Sequence, residues 1–267
     1  MESKQKQLIL DKITLPEAQP RVSRPRLLKV LRDNLSSVAV TIVNGRAGTG
    51  KTTLTAEFAG QAGRAVAWYK VDAAESDLRE FMEYLLECIR LQRPSIDADL
   101  LLEMTESVLS DRAELLAESL VFQLSERRAA PLLIVIEDLH LVYDADWMAP
   151  FFTRLLPLLP ADVHVLITCR SMPPAPLWRL RSKQMLRVID EQELSFTVDE
   201  ATRMFETYGL GEEYARVALY QAGGRPSVLA DFAMTPGRAG RARADSLLSI
   251  APPRLKLLSS QTPDFQT

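Results

Sequence analysis

The stretch Gly45-Arg46-Ala47-Gly48-Thr49-Gly50-Lys51-Thr52, closed by Thr53, constrains this chain more than any other. It fits the pattern G-x-x-x-x-G-K-[ST], and it stands directly after the apolar run Val38-Ala39-Val40-Thr41-Ile42-Val43. Three glycines in six residues let the backbone turn tightly and aim its N–H groups inward, where side chains would obstruct phosphate oxygens. A helix beginning near Lys51 adds the positive end of its dipole. Lys51 supplies charge to the β and γ phosphates, and the Thr52 hydroxyl supplies a ligand to Mg²⁺. Residues 45–53 are therefore a candidate cradle for ATP or ADP. A glycine-rich turn that binds nothing is the alternative, and the flanking strand and helix pattern argues against it.

A phosphate loop needs an acid to hold the metal. Leu132-Leu133-Ile134-Val135-Ile136-Glu137-Asp138 ends a buried apolar run with two carboxylates and looks like a Walker B motif. Adjacent side chains at a strand end point differently, so one acid faces the metal while the other reaches an attacking water. We assign Glu137 to Mg²⁺ and Asp138 to the water; a solvated strand end is the plain alternative.

Further apolar runs at 65–71, 163–167 and, more weakly, 185–189 alternate with stretches of helical spacing such as Phe81, Leu85, Leu86 and Ile89. Alternation of this kind predicts a mainly parallel sheet with helices on both faces and ligands beyond the carboxyl ends of the strands. After residue 195 the strands stop. Thr197-Val198-Asp199-Glu200 reads as a capping box, and a second helix over about 212–222 should end at Gly223-Gly224. Beyond residue 234 the sequence turns rich in Pro, Gly, Ala, Arg and Ser, which reads as a disordered or cut-off tail. The expected division is thus 1–30 as an N-terminal segment, 31–194 as the α/β domain, 195–233 as a small helical subdomain and 234–267 as the tail.

Charge and cysteines narrow the functions. A net charge of −3 argues against a globally basic nucleic-acid binder, and Arg238, Arg241 and Arg243 read as a solvated tail rather than a DNA reader. Two cysteines, Cys88 and Cys169, make no disulfide framework, and with only His140 and His164 beside them no zinc spacing arises. No signal peptide or spanning stretch is apparent, so a reducing, cytoplasmic setting without membrane contact is expected.

Several segments fall in one order: Arg24-Pro25-Arg26-Leu27-Leu28, the phosphate loop, Val66-Ala67-Trp68-Tyr69-Lys70-Val71-Asp72, Glu137-Asp138-Leu139-His140, Thr168-Cys169-Arg170-Ser171-Met172-Pro173-Pro174 and Gly224-Arg225-Pro226. Over roughly residues 8–232 the chain resembles the STAND NTPases, specifically the NTPase module of MalT-like, large LuxR-type ATP-binding transcriptional regulators. The resemblance implies an α/β P-loop NTPase fold of the ASCE/AAA-like kind. It also implies a nucleotide switch in which ADP holds an inactive state and ATP permits self-association. By the same resemblance, Arg170 is the sensor arginine for the γ-phosphate, on a strand lying between the loop strand and the acidic strand. Pro226 would pack against the adenine, and Arg24 with Pro25 would line the base pocket.

Two departures bear on activity. The family has Asp where Glu137 stands, which leaves slow hydrolysis or none, and Arg225 stands where Trp is common. His140 is read as structural. MalT-like proteins continue into winged-helix, helical-repeat and DNA-binding domains that residues 235–267 do not supply, so no direct DNA binding is expected of this chain. The leading reading is an ATP-binding switch module with weak ATPase activity. A non-hydrolysing remnant and a small-molecule kinase are the alternatives, the kinase disfavoured because Glu137-Asp138 points to water activation.

Overall fold

A computed structural model describes residues 9–17, 20–73, 76–106, 112–125 and 130–234. The tail expected after residue 234, with its three arginines, and the first eight residues lie outside the described residues. The chain forms two compact units. One comprises Met1–Gln19, Pro25–Ala47 and Lys51–Glu191; the other comprises Pro20–Arg24, Gly48–Gly50 and Gln192–Thr267, each within the described residues.

In chain order the first unit runs α1 (Pro25–Ser37), β1 (Val40–Asn44), α2 (Lys51–Gly60), β2 (Ala65–Lys70), α3 (Leu78–Gln92), α4 (Ala98–Met104), α5 (Arg112–Ser125), β3 (Leu132–Glu137), α6 (Met148–Leu155), β4 (Val163–Cys169), α7 (Ala175–Ser182) and β5 (Leu186–Ile189). The strands form a parallel sheet in the order β2-β3-β4-β1-β5. β4 therefore lies between the loop strand β1 and the acidic strand β3, as the resemblance implied. Val43 pairs with Thr168 and Asn44 with Cys169, so the two strands end together where the phosphate loop begins.

Every residue of β3 and β4 is buried. Successive strand residues point to opposite faces, so uninterrupted burial requires that both faces be covered, and the runs read as continuous apolar sequence. β5 is the edge strand beyond β1; Leu186 and Ile189 are buried while Arg187 is exposed, a pattern too short and mixed to read strongly. On one side α3 packs against β2, and Tyr69, Phe81, Tyr84, Trp147, Phe151 and Phe152 make a chain of ring contacts, stacked between Tyr69 and Tyr84 and tilted or edge-on among the rest. Asp77 caps α3 through its carboxylate and the N–H groups of Arg79 and Glu80.

A histidine sits inside the sheet. His164 on β4 is 2% exposed, with Nδ1 3.0 Å from the Val38 carbonyl and Nε2 3.1 Å from Thr41 Oγ1. A carbonyl can only accept, so Nδ1 carries the hydrogen and Nε2 accepts from the threonine hydroxyl. Burial holds the ring neutral and lowers its pKa to about 4.

The second unit is helical, entered within α8 (Glu191–Leu194) and followed by α9 (Val198–Glu206), α10 (Glu212–Ala222) and α11 (Pro226–Met234). Thr197 and Glu200 form the capping box that their spacing predicts. Gly223, at φ 56°, closes α10. Gly224 is required for a second reason: a Cβ there would stand 2.7 Å from Ser195 Cβ. Phe196, Ala201, Met204, Phe205, Ala215, Ala218, Leu229 and Ala233 supply the unit's small core. Among the described residues no helix is long and apolar enough to cross a membrane.

Candidate phosphate-loop site

The loop between β1 and α2 is divided between the two units: residues 45–47 and Lys51 onward belong to the first, Gly48–Gly50 to the second. In the first unit the chemistry is carried by side chains. Lys51 opens α2, is buried, and donates from Nζ to the carbonyls of Gly45 at 2.5 Å and Arg46 at 3.0 Å. Burial pulls its pKa below the ordinary lysine value, against the opposing pull of the Asp138 carboxylate. The Thr52 hydroxyl donates to Glu137 Oε1. Two hard oxygen donors side by side, one anionic, fit the ligand chemistry of Mg²⁺. Burial raises the Glu137 pKa, and the bond from Thr52 opposes it.

Glu137 and Asp138 do face different partners. Asp138 takes the left-handed conformation at φ 58°, ψ 35°, and its N–H donates to Thr168 Oγ1 at 3.0 Å. That turn swings its carboxylate to Arg170, just past the end of β4, whose Nε and Nη2 donate to Oδ1 at 3.3 Å and Oδ2 at 3.2 Å. The adjacency of β3 and β4 makes this pair. His140 Nδ1 lies 3.7 Å from Asp138 Oδ1, with its pKa lowered by burial. Arg46 is committed elsewhere: its N–H and Nε donate to Glu191 at 3.1 and 2.7 Å, so its amide is turned to a carboxylate of this unit. Thr53 is exposed on α2.

In the second unit the loop residues offer backbone groups. Gly48 and Gly50 have φ 80° and 77°, a region that penalises any residue with a Cβ. The Gly48 carbonyl accepts from the Ser227 N–H at 3.0 Å. Arg24, 4% exposed, donates to the carbonyls of Leu194 at 2.8 Å and Gly50 at 3.0 Å, with both terminal nitrogens 3.5 Å from that of Thr49. Its guanidinium lies 5.6 Å from the Phe196 ring. Pro226 begins α11, and its Cγ would be 3.9 Å from a Cβ on Gly50.

The sequence reading missed Ser227, Leu194 and Glu191. A serine following proline at a helix start was a readable signal, since the first helical N–H groups lack intrahelical partners; Leu194 acts through its carbonyl and left none.

Residues 23–168, more than half of the chain, match the AAA ATPase domain family. The HTH-type transcriptional regulator MalT of Serratia proteamaculans is 30% identical over 206 residues, covering 74% of this chain and 22% of that protein. MalT of Vibrio campbellii is 27% identical over 251 residues, covering 91% of this chain and 27% of that protein. The chain thus spans about a quarter of the length of these curated relatives. Among solved structures, a Walker-type ATPase of Pyrococcus abyssi superposes with TM-score 0.52 at 12% identity, covering 94% of this chain and 81% of that one. The Aeropyrum pernix ORC1 protein gives TM-score 0.50 at 15% identity, covering 88% of this chain and 66% of that one. At these identities the superpositions show the fold alone. The chain belongs to the AAA ATPase domain family, and its sequence is similar to the nucleotide-binding module of MalT-like regulators.

Proposed function

We propose, from membership of that family, that this chain is the ATP-binding switch module of a signalling or transcription regulator, with ATP hydrolysis that is slow. The observation that carries the reading is the side-chain set at the strand ends: Lys51 at the loop, Thr52 against Glu137, and Arg170 forked on Asp138. Lys51 and the N–H groups of residues 48–52 take the phosphates, and Thr52 with Glu137 holds Mg²⁺, which supplies charge neutralisation on the phosphate oxygens. Within the second unit, Arg24 and Pro226 stand against Gly50, and by the resemblance they would line the base pocket.

The Arg170–Asp138 fork supports slow turnover. Both Asp138 carboxylate oxygens are engaged by the Arg170 guanidinium, so Asp138 is free to accept from a water at Oδ only after Arg170 has left it. Arg170 leaves for a stronger anion, the third phosphate. The same exchange of partners distinguishes ATP from ADP, because ADP offers no terminal phosphate to compete with Asp138. Self-association in the ATP state follows from the resemblance to MalT-like regulators and is part of the proposal. A remnant that binds nucleotide without hydrolysing it is the second reading, favoured by the same fork if Arg170 never releases Asp138.

The test is unfolding of the 267-residue chain with and without Mg-ATP or ADP, repeated on Lys51→Ala. Ligand a hundredfold above Kd adds about 2.7 kcal/mol of stability by linkage, a midpoint rise of about 5–10 °C for a chain of this size. Lys51→Ala should remove the rise entirely. An equal rise in wild type and variant would sink the reading.

A further inference from the structure

We propose that Arg24 is a positioning residue for the phosphate loop, holding the carbonyl side of the loop tip so that its N–H groups are presented on the opposite side. The inference rests on the nucleotide-binding reading above. It starts from peptide geometry: in a trans peptide the C=O of one residue and the N–H of the next lie antiparallel in one plane. No described peptide bond is cis. The Gly50 carbonyl that accepts from Arg24 at 3.0 Å therefore fixes the Lys51 N–H on the far side. The Thr49 carbonyl, 3.5 Å from both terminal nitrogens, does the same for the Gly50 N–H. The Gly48 carbonyl, held by the Ser227 N–H, does it for the Thr49 N–H. Three consecutive peptide planes are thus held by their oxygens, each with its N–H turned away from the group that holds it. Successive inward N–H groups of this kind, with left-handed glycines among them, form an anion-binding concavity.

Arginine suits the task and lysine does not. A planar fork reaches several carbonyls at once, whereas an ammonium is a point donor on a flexible stem. The guanidinium is almost wholly buried, a costly placement unless its donors have partners, and the carbonyl oxygens of Leu194 and Gly50 are among those partners. The 2.8 Å bond to the Leu194 carbonyl and the Phe196 ring 5.6 Å away lock the side chain from behind. Arg24 acts on phosphate only through the backbone it holds.

The test separates loop positioning from contact with the base. Wild type, Arg24→Gln and Arg24→Lys are titrated by calorimetry with ATP, ADP and inorganic tripolyphosphate, at a temperature well below each unfolding midpoint. Arg24→Gln should weaken all three ligands by about tenfold or more and to the same extent, each tenfold being about 1.4 kcal/mol. Arg24→Lys, which keeps the charge and the buried stem, should fall between, and it carries the test where Arg24→Gln does not fold. Tripolyphosphate affinity unchanged while ATP affinity drops would mean that Arg24 serves the base, and the proposal would be overturned. A lowered midpoint with all three affinities intact would make Arg24 merely structural and overturn it equally. Wild type that binds none of the three would instead remove the nucleotide reading itself, and this inference with it.

Discussion

The two flanks of one short loop work by different chemistry. In the first unit, Lys51, Thr52, Glu137, Asp138 and Arg170 gather charged or hydroxylic side chains near the ends of β1, β3 and β4. In the second unit, Gly48, Thr49 and Gly50 contribute backbone groups, and Arg24 donates to the carbonyls of Leu194 and Gly50. The difference teaches where binding sites hide. A side chain that touches a ligand leaves a residue type at a spacing; a peptide plane leaves only permissive glycines, and what orients it is seen only once the chain is folded.

Acid should separate the two regions most. Both histidines of the chain, His140 and His164, lie in the first unit and none in the second. His164 titrates near 6.5 when unfolded and near 4 when folded, so between these values the unfolded state binds the extra proton and stability falls as pH falls. Above about pH 6.5 the contribution is constant; by pH 5 it has dropped by about 2 kcal/mol. Urea unfolding at pH 7 and pH 5, followed by hydrogen exchange of β1 and β4, checks this, and His164→Gln should flatten the dependence. Equal loss of protection in α9 and α10 would break the comparison.

Gly48→Ala probes the backbone flank directly. It forces a Cβ into φ 80° and to 2.2 Å from Ser227 Oγ, for a loss of about 1–2 kcal/mol in stability and in tripolyphosphate binding. Pairing it with Ser227→Gly should relieve the contact and leave the dihedral penalty; full recovery by the double variant would show that crowding alone was responsible. Thr197→Ala sharpens the comparison from the smaller end. Removing one half of the capping box should cost about 1 kcal/mol, read as faster amide exchange in α9. Phosphate affinity well below the midpoint should not change, because Thr197 holds no loop carbonyl.

The sheet was legible because its central strands are buried on both faces, and such strands appear in sequence as unbroken apolar runs, as at Leu132–Glu137. β5 was faint because an edge strand carries an exposed Arg187 between buried ends. α10 was legible to its last residue through Gly223. Of the candidate site, Gly48, Gly50, Lys51 and Thr52 follow from the phosphate-loop motif, and Glu137 from a carboxylate pair that ends an apolar run. The Arg170–Asp138 fork depends on strand order, which pairs residues thirty-two positions apart and is a property of the sheet rather than of either segment. His164 read as one more member of a strand, because nothing local announces that Thr41 and Val38 will stand beside it.

Asp138 holds a left-handed backbone that costs a residue with a Cβ about 1 kcal/mol and costs glycine nothing. At this one position stability and chemistry pull in opposite directions: Asp138→Gly would relax the turn after β3 while deleting the carboxylate that Arg170 grips. Backbone strain and the carboxylate that Arg170 grips thus fall on one and the same residue.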